Sequence, residues 1–173
     1  GAGSTNDFPI SNAADVVSVQ AGASNTFTTI FNTTLPQYVD SLTLTADSIE
    51  GIGNADNDTL QAYGSSDTLV AGIGNDFLYA GNATLVAGAG ADTLSPDGGA
   101  TLVFNSGFGT ALVDSYYGGS MSPDTNLVFG TGITAANLVV SAALVNGQES
   151  LVISDGPAES ITLEGALSEG ITG

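Results

Sequence analysis

The chain has 173 residues, 18 acidic side chains and no Lys, Arg, His, Cys or Trp, so its formal net charge is -18. This composition excludes side-chain salt bridges, disulfides and lysine isopeptide cross-links. It also argues against nucleic acid or an anionic membrane as a partner, because phosphate binding depends heavily on Lys and Arg. The uncompensated acids predict that bound cations or salt must relieve the self-repulsion of the folded state.

The N-terminal flank, residues 1–52, is predicted to be β-rich and to cap the segment that follows. Its candidate strands are rich in β-branched and aromatic residues and are separated by Gly, Ala, Ser and Asn. They cover residues 15–19, 26–31 and 41–45. We expect the stretch 15–31 to be a strand that a neighbouring copy could accept. No cleavable signal peptide is expected in this flank, since no positively charged segment precedes an apolar one.

A short motif of glycine, one acid and one leucine recurs through residues 53–113. Its clearest copies are Ala71-Gly-Ile-Gly-Asn-Asp-Phe-Leu-Tyr79 and Ala87-Gly-Ala-Gly-Ala-Asp-Thr-Leu-Ser95. The leucine recurs every seven to ten residues, as Leu60, Leu69, Leu78, Leu85, Leu94, Leu102 and Leu112. An aspartate stands two places earlier as Asp58, Asp67, Asp76 and Asp92, and is replaced by Ala83, Ala100 and Thr110. Each leucine is expected to point inward from a short strand, with its two neighbours pointing outward.

If one turn of a flattened coil contains two repeats, aspartates from alternate copies stack on the same side. Asp58, Asp76 and Asp92 then share one side and define two sites between adjacent loops, the first between Asp58 and Asp76 and the second between Asp76 and Asp92. On the other side Asp67 meets a loop with only Asn82, followed by the loop of Asp97. We expect that second side to bind metal weakly or not at all.

The residue types in the motif fit calcium. Glycine adopts backbone angles that other residues avoid, so glycine-rich turns let carbonyl oxygens converge. Calcium takes about 6 to 8 oxygen ligands from carboxylates, carbonyls and water. Nonapeptides of the form Gly-Gly-x-Gly-x-Asp-x-U-x, with U a large aliphatic residue, bind calcium in parallel β-helices. A metal-free solenoid, in which the glycines serve tight turns and the aspartates cap their own loops, stays open as the alternative.

The C-terminal flank, residues 114–173, is also predicted to be a β-rich cap. Its candidate strands cover residues 126–129, 137–141, 150–154 and 160–164, and no segment predicts a helix. Tyr116 and Tyr117 are candidates for an adhesive or sugar-stacking patch, although packing is the simpler interpretation. The longest apolar run, residues 136–145, is too short to span a membrane. The sequence therefore predicts an all-β protein, a parallel β-roll or β-solenoid of nonapeptide calcium-binding repeats with β-rich caps.

These motifs, together with Leu35-Pro-Gln-Tyr-Val-Asp-Ser-Leu-Thr-Leu44 before them and Phe104-Asn-Ser-Gly-Phe-Gly109 after them, resemble the RTX or haemolysin-type repeat proteins. The resemblance implies type I secretion and calcium-dependent folding outside the cell, at an extracellular or cell-surface location. It implies carboxylate and carbonyl ligands within the repeat. The implied metal residues are Asn54, Asp56, Asp58, Asp67, Gly72, Gly74, Asn75, Asp76, Gly88, Gly90 and Asp92.

We do not expect an enzyme. The proteases and lipases that share such arrays need a histidine in a zinc motif or beside a Gly-x-Ser-x-Gly elbow, and this chain has neither. We expect a calcium-binding structural subunit of a non-covalent extracellular assembly, such as a filament, sheath, matrix or surface layer. The alternative is a calcium-folded export or adhesion module of a larger secreted protein. An ice-binding or surface-binding face is a minor alternative, since the outward positions Thr59, Thr68, Phe77, Thr84 and Thr93 are partly regular.

Overall fold

The computed structural model describes residues 5–10, 19, 24–114 and 124–167. Their regular elements are all β-strands, and no helix occurs among them. In chain order the strands are β1 Thr5–Ile10, β2 Ser24–Thr29, β3 Thr33–Thr34, β4 Ser41–Leu44, β5 Glu50–Ile52, β6 Thr59–Ala62, β7 Thr68–Val70, β8 Ile73–Gly74, β9 Phe77–Gly81, β10 Thr84–Val86, β11 Ala89–Asp97, β12 Thr101–Phe104, β13 Thr110–Val113, β14 Asn126–Phe129, β15 Leu138–Val145, β16 Gln148–Asp155 and β17 Glu159–Leu163.

From β2 to β14 the strands, apart from the short β8, alternate between two sheets, which is the arrangement of a flattened coil. Sheet 1 has the order β1-β2-β4-β6-β9-β11-β13-β17-β16-β15, and sheet 2 has the order β14-β12-β10-β7-β5-β3. The short strand β8 pairs with the start of β11. Pairing is parallel from β1 to β13 and throughout sheet 2, whereas β15, β16 and β17 pair antiparallel. The predicted all-β parallel solenoid is confirmed, with two repeats in each turn.

The leucines of the repeat form the core between the two sheets. Leu60, Leu78 and Leu94 stand in register in sheet 1. Leu69, Leu85 and Leu102 do so in sheet 2. All six leucine side chains are fully buried. Because side chains alternate across a strand, burying each leucine turns its two neighbours outward, as the sequence predicts.

The seventh leucine is an exception, and its predicted inward position is wrong. Leu94 pairs with Val113, and Leu112 lies one place out of register on the outer face of sheet 1. The cause lies in the preceding loop, residues 105–109, where Phe108 is buried and packs edge-to-face on Phe104 with ring centroids 5.3 Å apart. With this ring in the turn, the core positions Leu102 and Val113 are two residues further apart in sequence than the equivalent pair Leu85 and Leu94. The position equivalent to Asp92 is therefore Ala111 rather than Thr110.

Parallel coiling begins before the repeat segment. Leu42 of β4 stacks on Leu60, and Phe27 of β2 stacks on Leu42. Since β2 pairs with both β1 and β4, residues 24–29 lie inside sheet 1, and the expectation that this part of the stretch 15–31 is free for donation is wrong. Residues 15–18 lie outside the described part of the chain. The segment boundaries at residues 53 and 113 stay predictions.

The C-terminal strands form one end of sheet 1. Here β17 pairs parallel with β13 and then antiparallel with β16, which in turn pairs with β15. The strands predicted at 126–129, 137–141, 150–154 and 160–164 correspond to β14, β15, β16 and β17. Tyr116 and Tyr117 lie outside the described residues. Within the described residues, no helix has the length and apolar character needed to cross a membrane.

Candidate metal centre

The coil has two rows of loops, one along each edge of the sheets. The first edge consists of the loops that run from sheet 2 to sheet 1, at residues 53–58, 71–76 and 87–92. The second edge consists of the loops that run from sheet 1 to sheet 2, at residues 45–49, 63–67, 82–83 and 98–100. The two edges differ in how many carboxylates they turn inward.

Three aspartates form a buried column along the first edge. Asp58, Asp76 and Asp92 are each only 2% exposed. The backbone N–H of Asp58 donates to Oδ1 of Asp76 at 2.8 Å, and the N–H of Asp76 donates to Oδ1 of Asp92 at 3.0 Å. The loops are thus joined by carboxylates that lie between them. The predicted stacking of these three residues on one side is what the structure has.

The column leaves carboxylate oxygens without partners. Oδ2 of Asp58 accepts the N–H of Asn54 at 2.6 Å, and Oδ2 of Asp92 accepts that of Gly88 at 2.8 Å. Oδ1 of Asp58 and Oδ2 of Asp76 are buried and have no hydrogen-bond donor. A buried polar atom without a partner costs roughly 1 to 3 kcal/mol, and more when it is charged. These atoms therefore need a ligand that the protein itself does not supply.

The electrostatics of the column favour the same conclusion. Burial, together with the charges of Asp92 and Asp58, raises the pKa of Asp76 to about 7. Burial also raises the pKa of Asp58 to about 6, with contributions from Asp56 and Asp40, and it raises the pKa of Asp92. Backbone hydrogen bonds oppose these shifts only in part. Since the chain has no basic side chain, only an external cation can offset the buried negative charge of these carboxylates.

Backbone carbonyls of neighbouring loops come close to the same column. Gly90 has φ 139°, and a Cβ atom at this position would overlap the carbonyl oxygen of Gly74 in the next loop. The same holds for Gly88 above the carbonyl oxygen of Gly72. Close stacking of the loops therefore depends on glycine, as the motif predicts. No group of three or more His, Cys, Asp or Glu side chains converges within the described residues, so a cation here needs carbonyl ligands beside the carboxylates.

Amide side chains hold the first-edge loops in register. Asn57 accepts the N–H of Asn75 at 2.9 Å, and Asn75 accepts that of Ala91 at 2.9 Å. Asn54 accepts the N–H of Asp56 at 2.6 Å and donates to the carbonyl of Val39 at 2.8 Å. Asn54 and Asn75 thus organise the loops through their amide groups, while Asp56 is exposed at the loop tip.

The second edge turns only one carboxylate inward. Asp67 is fully buried; its Oδ1 accepts the N–H of Ile49 at 3.0 Å, and its Oδ2 has no hydrogen-bond partner. The next turns of the coil place Ala83 and then Ala100 in its column. Asp97 instead faces outward and accepts the hydroxyl of Tyr79 at 3.1 Å. The positions stacked on Asp67 in the adjacent turns are Ile49 and Ala83, and neither carries a carboxylate.

Two residues that the sequence reasoning missed belong to the first edge. Asp40 lies one turn below Asp58, since the N–H of Thr59 donates to its carbonyl at 2.8 Å. The signal was present, because Asp40-Ser-Leu42 repeats the Asp-x-Leu of the motif 18 residues before Asp58. Asn57 is the second, and its spacing of 18 residues from Asn75 could have revealed the amide ladder.

This donor set fits calcium. The first edge offers desolvated carboxylates, buried oxygens without donors and carbonyls brought close by glycine, and calcium prefers oxygen ligands of these kinds. It offers no nitrogen or sulfur ligand, because the chain has no His or Cys. The fit rests on the unpartnered oxygens of Asp58 and Asp76.

Comparisons with known proteins point the same way. Residues 52–83 and 79–102 match the family model of the RTX calcium-binding nonapeptide repeat (4 copies). A search of curated proteins and a search of solved structures each return no match to the chain. The matched residues contain the buried aspartates, the stacked glycines and the leucine core of the solenoid. Residues 52–102 of the chain therefore form RTX-type nonapeptide repeats, and RTX nonapeptide repeats bind Ca2+.

Proposed function

We propose that calcium binds along the first edge, between the loops that carry Asp58 and Asp76 and between those that carry Asp76 and Asp92. The observation that supports this most strongly is the column of three buried carboxylates with unpartnered oxygens, in a chain without a single basic residue. Asp76 belongs to both pairs of loops. A bound cation supplies the positive charge that the protein lacks at this column.

The other predicted metal residues take different roles in this proposal. The carbonyls near Gly72, Gly74, Gly88 and Gly90 supply backbone ligands, since these glycines bring neighbouring loops into close contact. Asn54 and Asn75 position the loops through their amide hydrogen bonds. Asp56 adds negative charge near Asp58. Asp67 forms a separate and weaker site on the second edge, because it has no carboxylate neighbour.

Calcium binding is coupled to folding. The parallel solenoid brings the carboxylates together, and an unfolded chain has no such column, so binding stabilises the folded state. Far-UV circular dichroism and thermal melting should be compared in millimolar calcium, in magnesium and in chelator at matched ionic strength. We expect a cooperative β-sheet melt with calcium and its loss in chelator. An unchanged spectrum and melting temperature in chelator would refute coupled folding.

We further propose that the protein is a secreted structural subunit. RTX β-roll repeats are generally structural rather than catalytic, and RTX proteins are typically secreted. A chain whose fold depends on calcium suits export through a type I system, because calcium is scarce in the cytosol and abundant outside the cell. The proposed location is extracellular or at the cell surface.

An open sheet edge supports self-association. Among the described residues β15 ends sheet 1 and pairs only with β16. Its side chains Val139, Val140 and Leu144 are 63%, 59% and 73% exposed. Residues 125–148 contain no acid, so copies repel each other least at this segment. An uncharged β-branched edge without proline is a ready template for pairing with another chain.

The alternative is an export or adhesion module of a larger secreted protein. Light scattering and negative-stain microscopy of the calcium-loaded protein discriminate between the two functions. Filaments or defined oligomers that dissociate on Val140→Glu would support the structural subunit, since this change places a charge on the edge strand. Thr34→Glu, at an exposed position in β3 of the other sheet, is the matched control. Monomers at high protein concentration would favour the module.

A further inference from the structure

The outer face of sheet 2 carries a regular array of threonine and valine. In register across β7, β10 and β12, Thr68, Thr84 and Thr101 form one column. A second column, two residues further along each strand, is formed by Val70, Val86 and Val103. We call these six residues the threonine–valine face. Each strand contributes the same outward pair, Thr-x-Val, around a buried leucine.

The array repeats in two directions with fixed spacings. Strands in a sheet lie about 4.8 Å apart, and residues two places apart along a strand are separated by roughly 6.6 Å. The valine column continues with β-branched residues at both ends, as Ile52 in β5 and Val128 in β14. The strands β7, β10 and β12 contain no charged residue. In a chain with a net charge of -18, this face is a neutral, methyl-rich and hydroxyl-bearing lattice.

The outer face of sheet 1 has no such order. The column of Thr59 and Thr93 is interrupted by Phe77 and by Leu112 before it continues at Thr162. The neighbouring column contains Gln61 and Tyr79. The threonines that look only partly regular in the linear sequence therefore belong to two different faces, and the coil sorts them into one regular face and one irregular face. This contrast provides a control within the same molecule.

We propose that the threonine–valine face binds ice. Its threonine hydroxyls accept and donate hydrogen bonds to water, while the methyl groups of threonine and valine order the water around them. Both repeat at distances comparable with the lattice repeats of ice. Rigid presentation on a parallel sheet aligns many weak contacts at once. The six residues carry no charge, and Glu50 of β5 stands in register beside Thr68 at one end of the threonine column.

The composition of the face argues against other ordered surfaces. A calcium mineral would need carboxylates, and the six residues of the threonine–valine face carry none. A crystalline polysaccharide would need flat aromatic side chains, and Tyr63 and Tyr79 lie away from this face. Face-to-face packing with a second copy is the remaining competitor. The test below separates it from ice binding.

This inference rests on the calcium-folded solenoid proposed above. The experiment measures thermal hysteresis and partitioning into growing ice for the calcium-loaded protein, with circular dichroism and light scattering on the same samples. The test variants are Thr84→Tyr, at the centre of the face, and Val86→Tyr, in the second column. The matched control is Thr43→Tyr on sheet 1, where Tyr79 already occupies the same outward column.

We expect the wild type and Thr43→Tyr to enter ice and show thermal hysteresis, and both face variants to lose these activities while keeping the calcium-dependent melt. A folded, calcium-loaded wild type that is excluded from ice would overturn the inference and leave calcium binding intact. Equal loss in Thr43→Tyr would also overturn it. The inference would also be overturned if the wild type showed no ice affinity and formed a dimer that Thr84→Tyr dissociates. The face would then bind a second copy of the chain. If the protein kept its fold and its ice affinity in chelator, calcium-coupled folding would be refuted and ice binding by the threonine–valine face would be supported.

Discussion

The two loop edges of the solenoid share one backbone plan but differ in charge. Along the first edge, Asp58, Asp76 and Asp92 are buried in consecutive turns. Along the second edge, Asp67 is followed by Ala83 and Ala100. Turn geometry alone therefore does not require an aspartate in each loop, since the coil continues through the alanines. The first edge concentrates buried negative charge beyond what folding needs, and this excess indicates a cation site.

The lengths of the loops explain part of the difference. On the first edge the loops keep six residues, at 53–58, 71–76 and 87–92, with room for glycine, carbonyl and aspartate. On the second edge the connection between β9 and β10 is only residues 82–83. A connection this short cannot present the converging carbonyls that calcium requires. The deletion in the fourth repeat thus removes ligands from one edge only.

The largest expected effect comes from neutralising the column. The triple variant Asp58→Asn, Asp76→Asn and Asp92→Asn should lose the stabilisation by calcium, because each charge-assisted interaction contributes about 1.5 to 3 kcal/mol. Asp67→Asn, on the second edge, should keep most of it. Calorimetric calcium titration of both proteins measures this. Similar losses in the two variants would mean that the edges do not differ.

The second-largest effect should be the pH dependence of the stability of the calcium-free protein. The pKa values of about 6 for Asp58 and about 7 for Asp76 exceed the ordinary value near 3.8. Between about pH 4 and pH 7 the folded state therefore binds more protons than the unfolded state does. The free energy of unfolding falls as the pH rises through this window, by up to about 1.4 kcal/mol per pH unit for each carboxyl.

Calcium should reverse this trend, because it binds the ionised carboxylates and its affinity rises with pH. Melting temperatures measured in chelator and in calcium across the same pH range provide the comparison. Stability in chelator that increases from about pH 4 to pH 7 would contradict the buried column.

Glycine substitutions on the two edges should differ by a smaller amount. Gly98→Ala places a side chain at φ 80° with no atom closer than 3.7 Å, so only the backbone strain of about 1 to 2 kcal/mol remains. Gly90→Ala adds an overlap with the carbonyl oxygen of Gly74 and should cost more. Thermal melting in saturating calcium ranks the two. If Gly98→Ala were the more destabilising, the contact with the carbonyl oxygen of Gly74 would not govern the cost of a side chain at Gly90.

Monovalent salt should have the smallest effect. It screens the exposed acids, such as Asp47 on the second edge, but it reaches the buried column poorly. Raising sodium chloride in chelator should therefore increase the melting temperature less than millimolar calcium does. Equal stabilisation would indicate general charge screening in place of specific sites.

The sequence predicted the parts of the fold that a strict spacing controls. Leucine spacing predicted the core ladder and two repeats per turn, and aspartate spacing predicted which carboxylates share an edge. Leu112 was misplaced because burial of Phe108 lengthens one turn, and no local pattern reveals where an inserted ring will pack. Asp40 was missed because counting began at the glycine-rich copies, whereas the coil begins earlier. The threonine–valine face was hidden because outward residues of both sheets alternate along the chain.

The most direct test of the central claim is the anomalous difference density of a calcium-loaded crystal. The account predicts peaks between the loops of Asp58 and Asp76 and between those of Asp76 and Asp92, with a weaker peak or none at Asp67. Strong peaks only at the second edge, or no peak beside the buried column in saturating calcium, would contradict it.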